Sequence, residues 1–251
     1  MAEPTATPIP IRFLVLMLTG ACNLRCRYCF ASAVTGGAMA RTTALQALDR
    51  LAAHDLPMVI ELAGGEPLLA FDLLKDVVTY AQTVNPQAQV ALQTNGTLLD
   101  EDKLAFLIKH RVGIGISMDG IPAVNNAQRG DSIGTLRALK LLEAYQQGVN
   151  VMAVLTYASI MHIDEFLVMC AVLPAVRTVN LDIVRPTGRA GWDRVPTEEQ
   201  ITQMVAEMLE TLAFINARRF PPLKVREVEH VIRRQADVQT RPYCHAAEGR
   251  A

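Results

Sequence analysis

From residue 11 to about 190, short apolar runs alternate with segments of helical period. Residues 11–18 (Ile-Arg-Phe-Leu-Val-Leu-Met-Leu) are apolar without a helical repeat, the pattern of a buried parallel strand. Runs of the same kind at 57–62, 88–93, 112–118, 149–156 and 176–184 predict five more strands. Between the first two, Leu45, Leu48 and Leu51 share one face of a helix over 42–54. Further helices are expected over 69–83, 99–109, 133–147 and 162–172. Asp100, Glu101 and Asp102 suit the N-terminal dipole of the 99–109 helix, Ser132 is a good N-cap for the next, and Gly148 stops it.

Six strands alternating with helices imply right-handed crossovers and an all-parallel α/β sheet. An open doubly wound sheet and a partial barrel both satisfy that alternation. Beyond Gly191 the period is helical only, over about 196–218 and 224–234, and no further strand is expected. Residues 1–10, with three prolines, read as a flexible N-terminal tail. The apolar run after them lacks a basic leader, is interrupted by Arg12 and is too short to span a bilayer, so neither a secretion signal nor a membrane partner is expected.

A chain of 251 residues, 51% of them hydrophobic, can bury a large core as one barrel or two ordinary domains. Its formal net charge of -1 gives no electrostatic support for a nucleic-acid partner. Cysteine usage says more. Three of the five cysteines fall within Cys22-Asn23-Leu24-Arg25-Cys26-Arg27-Tyr28-Cys29-Phe30. An odd number, clustered in one loop, is no disulfide framework and points to a reducing, cytoplasmic compartment. Thiolates packed this closely repel one another, so the loop is expected to fold around a metal centre. Zinc sites usually pair C-x2-C ligands with histidine, whereas a Cys triplet suits an iron–sulfur cluster.

Polar and glycine-rich stretches follow the strands at 22–30, 64–67, 94–96, 117–120 and 185–189. In a parallel α/β array these strand ends share one rim, where such folds build their sites. The C-x3-C-x2-C spacing, with an aromatic before the last Cys, resembles the cluster loop of the radical SAM superfamily. Gly64-Gly65-Glu66-Pro67 resembles that family's GGEP motif, Thr94-Asn95-Gly96 its T-N-G segment, and Ser117-Met118-Asp119-Gly120 the S-x-D-G strand end of its peptide-modifying members.

The resemblance implies a partial (β/α)6 TIM-like barrel over 11–190, with a helical extension over 191–251. It implies a [4Fe-4S] cluster on Cys22, Cys26 and Cys29, whose fourth iron is chelated by S-adenosylmethionine (SAM). Tyr28, Gly64, Gly65, Glu66, Pro67, Thr94, Asn95, Ser117, Asp119 and Arg129 would then surround SAM, with Glu66 either accepting from its ammonium or bracing the turn. A guanidinium such as Arg129 suits its carboxylate. The implied activity is reductive cleavage of SAM to a 5′-deoxyadenosyl radical that abstracts hydrogen, with a flavodoxin or ferredoxin as one-electron donor. The nearest pattern is the SPASM/twitch-type maturases, which implies a peptide or protein substrate, as in maturation of ribosomally made peptides or sulfatases. Pro242-Tyr243-Cys244-His245 is similar to the start of a SPASM/twitch extension, but the further cysteines of that domain are missing, so it is truncated or absent here. Cys170, inside an apolar helix, reads as a buried small hydrophobe. A radical SAM enzyme acting on a small molecule and a zinc-stabilised, non-enzymatic binding module are the alternatives.

Overall fold

The computed structural model describes residues 13–33, 36–52 and 58–236; the N-terminal tail and Cys244 lie outside them. Seven parallel strands form one sheet in sequential order: β1 (Phe13–Met17), β2 (Val59–Ala63), β3 (Gln89–Thr94), β4 (Gly113–Ser117), β5 (Val149–Leu155), β6 (Val176–Ile183) and β7 (Lys224–Val225). A doubly wound sheet reverses its strand order at a switch point, whereas an unbroken sequential order curls one way into a barrel. The ambiguity left by the alternation is therefore resolved as a partial barrel.

The helices are α1 (Arg41–Ala52), α2 (Phe71–Val84), α3 (Glu101–Lys109), α4 (Pro122–Gln128), α5 (Ser132–Ala144), α6 (Ile163–Val172), α7 (Glu198–Asn216) and α8 (Arg226–Ala236). Asp100 caps α3 by accepting from Lys103 N. Thr197 and Gln200 form a reciprocal capping box on α7. Among the described residues, no helix is long and apolar enough to cross a membrane.

Three expectations need correction. Lys224 and Val225 are not helical: they pair with Thr178 and Val179 of β6, so a seventh strand follows residue 191. The cap of α5 is Asp131, which accepts from Gly134 N, while Ser132 is buried inside the first turn and donates to the Pro122 carbonyl. The seven-residue α4, opened by Pro122, was not expected at all.

The two faces of the sheet differ in chemistry. Leu16, Ile60, Leu62, Val90, Leu92, Ile114, Ile116, Val151, Ala153, Val179 and Val225 form an apolar outer face buried in the core. Successive side chains alternate across a strand. The inner face accordingly carries Glu61, Gln93, Ser117, Asn150, Thr178, Asn180 and Lys224, interspersed with glycines and apolar groups. That polar inner wall faces the barrel interior.

Candidate active site

Leaving β1, the chain remains tied to the end of β2 before entering the cysteine loop. Leu18 N donates to the Ala63 carbonyl (2.8 Å), Gly65 N to Thr19 O (2.7 Å) and Glu66 N to Ala21 O (2.8 Å). This close approach explains both glycines. A Cβ on Gly64, which has φ of +154°, would lie 2.6 Å from Thr19 O, and one on Gly65 would lie 2.2 Å from Ala21 O. The glycines thus seat the strand that delivers Cys22. Gly65→Ala is expected to cost about 1–3 kcal/mol through backbone displacement, measurable by urea denaturation, and to lower iron uptake by the loop.

The loop is then fastened to the ends of β3 and β6 and to α4. Asn23 donates to Thr97 Oγ1 (2.7 Å) and accepts from Asn95 Nδ2 (3.0 Å). Arg27 N donates to the Gln128 carbonyl (2.9 Å). After β6, Arg189 donates through Nη1 to Cys26 O (3.0 Å) and through its backbone N to Cys29 O (3.1 Å). Gly188 beside it has φ of +64°, and a Cβ there would sit 2.3 Å from Cys29 O. Cys26 and Tyr28 pack with Val184, Ala190 and Val154 above the ends of β5 and β6. Asn23, Thr97, Gln128, Gly188 and Arg189 were not anticipated individually; the 185–189 stretch was marked only as a strand end.

All three cysteines are free thiols, Cys22 exposed, Cys26 buried and Cys29 between. Burial pushes the Cys22 and Cys26 thiols up, and the neighbouring cysteines add to that rise. Leu24 N donates to Cys22 Sγ (3.4 Å), a contact that favours the thiolate. Metal binding releases the thiol protons, and the positive charge of the metal offsets the repulsion among the resulting thiolates.

Glu66 is fully buried and saturated. It accepts from Thr94 Oγ1 (2.6 Å) and Leu68 N (3.1 Å) at Oε1 and from Asn95 N (2.8 Å) at Oε2. Burial raises its carboxyl above the ordinary value, against these hydrogen bonds. Its geometry is that of a brace between the ends of β2 and β3, with Pro67 opening the short turn of helix that it caps. Glu66→Gln places an N–H₂ among donors, and is expected to cost about 1–3 kcal/mol in chemical denaturation.

Tyr28, Asp119 and Arg129 meet in a second buried group. Tyr28 Oη donates to Asp119 Oδ2, and Arg129 Nη1 lies 3.3 Å from Asp119 Oδ1 and 2.5 Å from the Tyr28 hydroxyl. Val154 N donates to Asp119 Oδ1 (3.0 Å), and Asn125 Oδ1 accepts from Asp119 N (3.0 Å). Burial acts to lower the Arg129 guanidinium, but the Asp119 carboxylate, Tyr28 and Cys26 together outweigh it, so the group stays charged. Arg129 Nε is buried without a partner among the described residues. Ser117, at the end of β4, accepts from Gln93 Nε2 (2.8 Å). The rim therefore gathers the cysteine loop, the glycine turn, the T-N-G turn and the S-x-D-G strand end. Phe30, by contrast, is exposed.

The donor set favours a polynuclear centre. Cys170 is fully buried in α6, so the loop offers three soft sulfurs and no fourth, which suits an iron–sulfur cluster with one iron left open.

A model of the radical SAM superfamily matches residues 16–169, well over half of the chain. The chain belongs to the radical SAM superfamily. An uncharacterized protein of Methanocaldococcus jannaschii is 30% identical over 79% of this chain and 71% of its own length. The cysteine-type anaerobic sulfatase-maturating enzyme of Clostridium perfringens is 28% identical over 62% of this chain and 47% of its own, so the chain spans about half of that relative. Native anSMEcpe with bound AdoMet and Cp18Cys peptide superposes with a TM-score of 0.79 at 21% identity, over 93% of this chain and 68% of that one. At that identity the superposition establishes the radical SAM fold.

Proposed function

We propose that this radical SAM enzyme reductively cleaves SAM at a [4Fe-4S] cluster held by Cys22, Cys26 and Cys29, and acts on a peptide or protein in a maturation reaction. The observation that carries the reading is the hydrogen-bonded rim that joins the three-cysteine loop to the ends of β2, β3 and β6. When bound, the cluster supplies one electron to SAM, breaking its sulfur–carbon bond and yielding a 5′-deoxyadenosyl radical for hydrogen abstraction.

The chain's own residues supply placement. Gly64 and Gly65 keep the turn close against the cysteine loop and free of side chains, and Glu66 holds that turn to Thr94 and Asn95. The unpartnered Nε of Arg129 is a charged donor suited to the SAM carboxylate. Ser117, with its hydroxyl oriented by Gln93, and the backbone around Tyr28 complete the proposed SAM site. We assign 11–190 to the catalytic barrel and the segment from 191 onwards to an extension that brings α7, β7 and α8 and adds the seventh strand to its sheet. The electron donor in this reading is a flavodoxin or ferredoxin. The similarity to a sulfatase-maturating enzyme supports a peptide or protein substrate.

Anaerobic reconstitution with iron and sulfide tests the proposal. The expected product is brown, absorbs broadly in the visible and releases 5′-deoxyadenosine from SAM with a reductant. Colourless protein carrying stoichiometric zinc and cleaving no SAM would overturn it in favour of a zinc-stabilised module.

A further inference from the structure

Beneath the cysteine loop, between the inner faces of β5, β6 and β7 and the helix α8, lies an open cavity of about 470 Å³. Its lining is cationic. Lys224 comes from β7, and Arg226, Glu229, His230 and Arg233 come from α8 at positions i, i+3, i+4 and i+7. That spacing lays one face of α8 along the cavity. Val231 and Ile232 are exposed on the helix instead. Val228 packs against the core, while Lys224, Arg226, His230 and Arg233 are exposed along the open cavity.

The charges are incompletely matched. Three permanent cations, Lys224, Arg226 and Arg233, face two carboxylates, Glu229 and the more distant Glu61, whose charge interacts with Arg226. One positive charge is left over before His230 is protonated. Among the described residues, none of Lys224, Arg226, His230 and Arg233 lies within ion-pair distance of a carboxylate. Asn180, on the same wall, has a buried side-chain oxygen with no partner among the described residues.

We propose that this cavity seats a carboxylate of the substrate, bound by Arg226, Arg233 and Lys224, while Asn180 accepts from an N–H beside that carboxylate. The cations alone would suit a phosphate equally; the unpaired acceptor among them favours an acidic group flanked by an amide. The inference rests on the reading of a peptide or protein substrate and adds an acidic residue to it. Position gives the spacing. Asn150 and Asn180 each precede by four residues a valine, Val154 or Val184, that packs against Cys26 and Tyr28. At about 3.3 Å per residue the cavity lies about 13 Å below the cysteine loop. An extended peptide covers that distance in about four residues.

Isothermal titration of the full chain with acetyl-Glu-Glu-amide tests this directly, with acetyl-Gln-Gln-amide and inorganic phosphate as comparison ligands. The acidic peptide is expected to bind at least about tenfold more tightly than its amide counterpart, and Lys224→Gln/Arg233→Gln to weaken it about tenfold or more. Equal affinity for the two peptides, an unchanged affinity in the double variant, or tighter binding of phosphate than of the acidic peptide would each overturn the assignment. The peptide comparison needs no variant, so misfolding cannot obscure it. SAM cleavage by the unaltered chain is a separate assay: its loss would refute the radical reading and leave the binding result standing, and the converse holds equally.

Discussion

Replacing Cys22, Cys26 or Cys29 by alanine, one at a time, is expected to bring 5′-deoxyadenosine release down to the level of a reaction without enzyme, and to lower bound iron in parallel. Three sulfurs already leave one coordination position open, so two cannot hold the same centre. Cys170→Ala provides the contrast. Its thiol is fully buried in the apolar face of α6, pushed far up by burial, and remote from the rim in function; its removal leaves a small core cavity, costs about 1 kcal/mol and spares SAM cleavage. Iron analysis and product release on the four variants, each reconstituted anaerobically, decide the matter. Retention of both iron and cleavage in any one of the rim variants would refute the ligand set.

The contrast among these cysteines was legible in the sequence, because three thiols within eight residues have few structural explanations, while Cys170 sits in an unbroken apolar helix. The six long strands were legible for a related reason: their outer-face residues, such as Ile60, Leu62, Val151 and Val179, give each run its apolar character. β7 was missed because two residues carry no periodicity, and Lys224-Val225 runs directly into α8. α4 is a single short helix between two turns, with too few apolar positions to register a period.

The site was legible as a set of strand ends and opaque in its connections. Nothing in the spacing of the chain pairs Cys26 with Arg189 across 163 positions, or Tyr28 with Asp119 across 91. Gly64 and Gly65 were expected beside SAM through the GGEP motif, whereas the close neighbour that requires them to be glycine is the backbone of Thr19 and Ala21. The polar inner wall was hidden for another reason. Asn150, Asn180 and Lys224 lie on three separate strands, and only the register across β5, β6 and β7 assembles them on one face with α8.

The group formed by Tyr28, Asp119 and Arg129 carries the largest expected effect on stability. Asp119→Ala removes the carboxylate paired with the buried Arg129 guanidinium, together with acceptors for Tyr28 Oη and Val154 N. A buried cation left without its partner costs about 3–5 kcal/mol, and two orphaned donors add to that. Urea denaturation of the metal-free protein should therefore show a midpoint well below that of the unaltered chain. Removing the cation as well separates the two contributions. Asp119→Ala/Arg129→Met has no buried charge to desolvate, so it is expected to be more stable than Asp119→Ala alone, the sign that a double-mutant cycle assigns to a coupled pair. If the double variant were less stable than the unaltered chain by the sum of the two separate losses, Asp119 and Arg129 would be independent, and the Tyr28 end of the cysteine loop would owe its position to packing against Val184 and Ala190 instead.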